Sequence, residues 1–83
     1  MRDEKLLACY IETNPHYATP DEARLKEYGV SVWAIIAHLQ AVNGDIGQVA
    51  QDYELPAEAV KAAIAYYQRH KSLIDARIVA NVA

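Results

Sequence analysis

The chain has 83 residues with 8 basic and 11 acidic side chains, a formal charge of −3. At that length it is one domain with a modest core, and such domains often gain stability by self-association. A composition 53% hydrophobic and 23% charged excludes a disordered tail. The acidic balance argues against strong nonspecific nucleic-acid binding, which rests on neutralised phosphates, though a symmetric dimer can still present one local basic patch. The lone Cys9 has no partner for an internal disulfide. No apolar run approaches the roughly 20 residues of a bilayer span. The opening Met1-Arg2-Asp3-Glu4-Lys5 is followed by too few apolar residues for a signal peptide. The expectation is a soluble cytoplasmic protein.

In chain order, residues 6–11 (LLACYI) form a compact apolar run. Its length, with Tyr10 and Ile11, predicts a strand, with a short helical turn as the alternative. Within that run Cys9 is expected to be an inert, buried thiol. Residues 13–20 carry most of the breakers of the N-terminal third and predict an irregular loop. Thr19 and Pro20 suit the start of one helical turn over Asp21-Glu22-Ala23. Residues 24–26 and 30–32 predict two very short strands around Glu27-Tyr28-Gly29, with Gly29 at positive φ and with Leu25, Val30 and Val32 inward.

Ser31 is positioned to cap a helix over residues 32–42, and that helix is apolar nearly all round. One stripe is Val32, Ile35, Ile36, Leu39 and Val42. The other side carries Trp33, Ala34, Ala37 and Ala41, with only His38 and Gln40 clearly polar. A surface helix of a monomer is polar on one side. The Trp33-Ala37-Ala41 face is therefore expected to meet something else, most simply a second copy of the chain. Cover by the N-terminal strands and the last helix is the alternative.

Asn43-Gly44 is an αL-tolerant pair that ends this helix. Asp45, with Gln48 three residues on, forms a capping-box pattern for the next. From there apolar residues fall at Ile46, Val49 and Ala50, then Leu55, then Val60, Ala63, Ile64 and Tyr67. This predicts a short helix, a tight connection plugged by Leu55, and a longer helix opened by Pro56, so residues 45–70 form a helix-turn-helix candidate. Arg69, His70 and Lys71 suit the C-terminal end of the long helix. Ser72 with Asp75 repeats the capping-box pattern and predicts a break, followed by a last helix from Leu73. The stripe of that helix is Ile74, Ile78 and Val82; a continuation of the long helix without a break is the alternative.

The contact chemistry is thin. If the long helix entered a major groove, its early exposed residues would be Ala57, Glu58, Lys61, Ala62 and Ala65, none of which makes a bidentate pair with a base edge. Gln48, Gln51, Lys61, Arg69 and Lys71 are the candidates for phosphate contact, although Gln51 and Lys61, each taken alone, read more readily as ordinary solvated surface. His16, His38, His70 and Cys9 lack metal-ligand spacing, so no metal or cofactor is expected, and His38 reads as a hydrogen-bonded interface residue. Asp52 and Glu54 lie close in sequence without a nucleophile or base motif, so no catalytic residue is assigned and an enzyme is not expected. Trp33, Tyr66 and Tyr67 are the aromatic anchors an interface would use, with core packing the default for Tyr67. The Ile74-Ile78-Val82 stripe is positioned to close the core, to swap into a second subunit, or to fill a groove on another protein.

With these residues in view, the chain resembles the DUF433 family of small bacterial proteins. The resemblance rests on Tyr10-Ile11-Glu12 with Pro15, Ala23-Arg24-Leu25, Val30-Ser31-Val32-Trp33-Ala34-Ile35-Ile36, and the turn between Leu39 and Gly44. It continues through Asp52-Tyr53, Leu55, Glu58, Val60, Ala62-Ala63, Ala65-Tyr66, His70 and Ile74-Asp75-Ala76-Arg77-Ile78. Members usually carry a Gly-Gly pair in the loop and a Gly-Thr-Arg turn before the first strong helix; this chain has Thr19-Pro20 and Glu27-Tyr28-Gly29 there. The resemblance implies a helix-turn-helix core and the antitoxin half of a toxin–antitoxin pair. It also implies a PIN-like ribonuclease toxin as partner, with no catalysis and no cofactor. The fold expected is mainly α: a small helix-turn-helix bundle of winged-helix or homeodomain-like type with a minor N-terminal β element, residues 1–29 being strand and loop and residues 30–83 the helical core. The function expected is an antitoxin-like homodimer that binds such a toxin and operator DNA. The alternative is a dimeric interaction module that never touches DNA. The interface candidates are Trp33, Ala37, Ala41, Tyr66, Ile74, Ile78 and Val82.

Overall fold

The computed structural model of the chain describes residues 2–12 and 19–82, with the side chains of Arg2, Asp3 and Val82 outside that description. Most of the irregular loop expected over 13–20, with His16 in it, lies outside the described residues. The order of elements is α1 (Arg2–Tyr10), β1 (Ile11–Glu12), a 3₁₀ turn (Pro20–Glu22), β2 (Arg24–Leu25), α2 (Val32–Ala41), α3 (Ile46–Tyr53), α4 (Ala57–Arg69) and α5 (Lys71–Val82). The fold is mainly helical with one small antiparallel sheet near its start.

The strand expected over residues 6–11 is mostly helix. Leu6, Leu7 and Tyr10 pack against the core at helical spacing. The good helix formers Glu4, Lys5, Leu6, Leu7 and Ala8 carry the backbone into that conformation. Only Ile11 and Glu12 extend, pairing with Leu25 and Arg24. Cys9 is exposed rather than buried, because it lies off the Leu6-Tyr10 stripe. Of the two short strands expected around Glu27-Tyr28-Gly29, the first forms as β2, while the second is reduced to an isolated bridge from Arg24 to Ser31 because Val32 already starts α2; the Leu25 N–H donates to the Val30 carbonyl at 2.8 Å, and Gly29 takes φ +69. Ser31 makes no side-chain cap on α2.

The ends of α2 and α3 share one device. At the first, Asn43 takes φ +57, the Gly44 N–H donates to the Leu39 carbonyl at 2.8 Å and the Asn43 N–H to that of Gln40 at 3.3 Å. At the second, Glu54 takes φ +56, the Leu55 N–H donates to the Ala50 carbonyl at 2.8 Å and the Glu54 N–H to that of Gln51 at 3.2 Å. Both are Schellman closures, which satisfy orphan carbonyls and turn the chain sharply. Asp45 caps α3 through the Gln48 N–H at 3.0 Å. The reciprocal half of that capping box is not made, because the Asp45 N–H donates to Val42 and the Gln48 amide turns to Asp52. Leu55 plugs the α3–α4 connection as expected, at 7% exposure. Pro56 sits just before α4 as its N-cap, with Ala57 first in the helix.

The break between α4 and α5 falls at His70, slightly earlier than the Ser72 pattern places it. The His70 N–H donates to Tyr66 and Tyr67, and its carbonyl accepts from the Ile74 N–H, so one residue ends one helix and starts the next. The core runs through Ile11, Leu25, Val32, Ile35, Ile36, Val49, Val60 and Ile74, each at 2% exposure or less. Among the described residues, no helix is long and apolar enough to cross a membrane.

Candidate partner-binding site along the fourth helix

Helix α4 is the hub of the molecule. It packs against α1, α2, α3 and α5 and touches β1, and its largest interface is with α1. Ala59, Val60, Ala62, Ala63 and Ala65 are all buried. Of the five residues considered as base readers, Ala62 and Ala65 are therefore withdrawn from any base edge, and Glu58 and Lys61 face each other at 3.4 Å. The outward row that remains is Ala57, Lys61, Ile64 and Gln68, one residue per turn.

Lys61, Ile64 and Gln68 of that row form one wall of a groove of about 530 Å³ between α1 and α4. Leu6, Tyr10, Ile64 and Ala65 supply its apolar surface; Lys5, Glu58, Lys61 and Gln68 supply its polar rim; the exposed Cys9 opens onto it. The sequence reading left out Lys5, Leu6 and Gln68, because reading residues 6–11 as a strand hides that α1 lies alongside α4. The i, i+4 pair Leu6-Tyr10 was the signal available.

Of the phosphate candidates, three have carboxylate partners, Lys61 in the exposed pair with Glu58 and the other two more closely. The Gln48 amide donates to Asp52 at 2.7 Å, and Lys71 pairs with Asp75 at 2.7 Å while lying 5.6 Å from the Tyr67 ring centroid. Gln51, Lys61 and Arg69 are exposed. Asp75 thus binds Lys71 and also accepts from the Tyr67 hydroxyl at 2.6 Å, in place of the capping duty expected of it. The Lys71 ammonium and then the Tyr67 hydroxyl hold the Asp75 carboxyl below the usual carboxylate range, while Asp75 raises both of its partners.

His38 bonds Asp52 at 2.6 Å and meets the Tyr53 ring edge-on at 5.5 Å, tying α2 to α3. These bonds, His38 first and Gln48 second, hold the Asp52 carboxyl below its ordinary value. No motif assigns Asp52 a role; its place is clear only once α2 and α3 cross. A third polar cluster joins distant parts of the chain. Arg77 pairs with Asp21 at 3.2 Å and its guanidinium lies 5.8 Å from the Trp33 ring centroid, while the Tyr66 hydroxyl donates to the Pro20 carbonyl at 2.9 Å. The Thr19 hydroxyl, and then Arg77, lower the pKa of Asp21.

Among the interface candidates, Ile74 and Ile78 lie in the chain's own core at 0% and 8% exposure, which is the first of the three uses open to that stripe. They are corrected from interface to core: α5 turns this side onto the bundle, so both side chains are covered within the chain. Trp33, Ala37 and Tyr66 are half-buried, Ala41 is exposed, and the Val82 side chain lies outside the described residues. Among the described residues, no three His, Cys, Asp or Glu side chains gather closely enough to hold a metal ion.

A family model described as a protein of unknown function (DUF433) matches residues 21–67. Those residues run from the 3₁₀ turn into α4 and contain all of α2 and α3 and most of α4. Neither the curated proteins nor the solved structures give a match.

Proposed function

The chain belongs to the DUF433 family, and from that membership we propose that it is a non-catalytic, antitoxin-like protein that binds a PIN-like ribonuclease toxin. The observation that carries the reading is the groove along α4. An apolar floor with lysines and a glutamate on the rim suits one short amphipathic segment of another protein, anchored by its side chains and flanked by charges.

The same geometry weighs against operator recognition by α4. A major groove about 12 Å wide admits one helix. A helix with side chains is itself about 10–12 Å across, and α1 lies directly beside the outward row of α4. The pair together is too wide, and the row lacks arginine and asparagine. DNA contact, if made, would come from Gln51 and Arg69 on phosphates, which carry no sequence information.

The test is to mix the purified chain with a PIN-like ribonuclease encoded beside its gene. The expected result is a stable complex with RNA cleavage suppressed, lost on Ile64→Glu in a chain whose circular dichroism is unchanged. Absence of any complex, with no nuclease captured from native lysate, overturns the reading. Tight, salt-sensitive binding to the DNA upstream of its own gene would restore the operator role in its place.

A further inference from the structure

Helix α1 is held differently from the other four. Among the described residues it is the one helix with no buried side chain: Leu6, Leu7 and Tyr10 are half-buried, and Glu4, Lys5, Ala8 and Cys9 are exposed. Its nine residues are fewer than the roughly 12–15 at which a helix holds its own bonds in water. Its conformation therefore depends on the contact with α4. That contact is the largest α4 makes, but it is one-sided, since α1 is open to solvent at Glu4 and Ala8.

The two ends of α1 are anchored unequally. At the C-terminal end the Lys26 N–H donates to the Tyr10 carbonyl at 2.7 Å, and the Lys26 ammonium donates to the Ala8 carbonyl at 2.5 Å. Directly after it Ile11, 2% exposed, pairs with Leu25, and Glu12 pairs with Arg24. Among the described residues, no side chain of α1 itself makes a hydrogen bond or an ion pair. The N-terminal end is thus held by the half-buried Leu6 and Leu7.

We propose that α1 is a strap that lifts from α4 at its N-terminal end, about a hinge at Tyr10 and Ile11, and so gates the groove between the two helices. Elements with few buried contacts open first, and α4 has five buried residues where α1 has none. Lifting turns Leu6 outward and uncovers Ile64 and Ala65, which line the groove from α4. Ala65 is 5% exposed when the strap is closed. The wall that stays is fixed by α2, α3 and α5; the wall that moves carries Lys5, Leu6 and Cys9. An entering segment meets one rigid wall and one that adjusts to it. The inference rests on the groove reading above for what enters, while the motion itself needs no partner.

Native-state hydrogen exchange of the full chain, followed by NMR with no partner present, tests the strap. A nine-residue helix lifted from its support loses its bonds, so lifting is read at the amides of Leu6, Leu7, Ala8 and Cys9. These are protected at least about a hundredfold less than the amides of Val60, Ala63 and Ile64. Their rates stay nearly flat in low urea while those of α4 rise, because lifting exposes little surface. The Lys26 amide, at the hinge, keeps the slower rate. Leu55→Ala, which loosens the α3–α4 connection, accelerates exchange in α4 by about thirtyfold or more and leaves α1 unchanged. One common protection and one urea dependence for α1 and α4 overturn the proposal, since α1 then opens only with the whole chain. Fast exchange at Lys26 together with α1 also overturns it, because the small sheet is then released and there is no hinge. Failure of the ribonuclease complex leaves this exchange result standing, and a rigid α1 leaves that complex standing.

Discussion

Leu55→Ala tests the claim that the α3–α4 connection is held by one buried plug. The side chain is 7% exposed, between two helices that have no other large residue in the connection. The backbone bonds of the turn, from Leu55 to Ala50 and from Glu54 to Gln51, need no side chain at position 55 and survive the change. What is lost is the transfer term of the removed carbons plus a cavity term, together about 2–5 kcal/mol for a buried leucine. A chain of 83 residues has a total stability of only about 4–12 kcal/mol. A loss near 3 kcal/mol lowers the melting temperature by roughly 12–24 °C at this size. Thermal and urea unfolding followed by circular dichroism, at fixed protein concentration, measures it. Leu55→Met, which keeps the volume, costs less than about 1.5 kcal/mol. A melting temperature within a few degrees of the parent for Leu55→Ala refutes the plug and assigns the turn to its backbone bonds alone.

Two further outcomes follow from the same turn and from the carboxylates. Glu54 holds φ +56, which costs an L-residue about 1–2 kcal/mol. Glycine there relieves that at an unfolded-state entropy cost of about 0.5–1 kcal/mol, so Glu54→Gly raises the urea midpoint slightly; a clear fall would show that the Glu54 side chain contributes more than its strain. Asp21, Asp52 and Asp75 are all held below the ordinary carboxylate value by their partners. The folded chain therefore binds fewer protons than the unfolded one just below about pH 4. The stability these groups contribute is fully present above that pH and is lost as pH falls through their lower folded values. Urea midpoints measured on acidification fall below about pH 4, and by less in Asp75→Asn. A midpoint that rises instead reverses the sign and refutes the pairings.

The helix-turn-helix frame was legible because its signals are local. Asn43-Gly44 names its own turn, Asp45 caps the residue three positions on, and Leu55 with Pro56 marks a connection between two apolar periods. Helix α1 was not legible in the same way. The run LLACYI has the length of a strand, and only its packing partner on α4 makes the Leu6-Tyr10 spacing decisive. The break at His70 was misplaced by two residues, because Ser72 and Asp75 match a capping box whose acid is claimed by Tyr67 and Lys71 instead. Gln48 and Lys71 read as free polar groups from sequence for the same reason. Their carboxylate partners lie four residues along the same helix, a spacing that was on the page, but sequence cannot say whether a side chain reaches along its helix or out to a ligand.

One composition accounts for both what α4 does and what it lacks. Ala57, Ala59, Ala62, Ala63 and Ala65 make five of its thirteen residues alanine. Small side chains let other helices approach closely, and α1, α2, α3 and α5 all pack on this one. A helix that serves as the hub of a chain this small has little surface to spare, and alanines on that surface cannot reach a base edge. Where a reading helix stands out from its bundle on arginine, asparagine and glutamine, α4 is drawn into the centre, leaving the row of Lys61, Ile64 and Gln68 at the edge of α1. Restoring a reading set therefore requires more than exchanging side chains. Lys61→Arg or Gln68→Arg adds a long donor to that row without moving α1, so either variant raises phosphate affinity and leaves sequence discrimination near zero; discrimination would emerge only if α1 were also displaced.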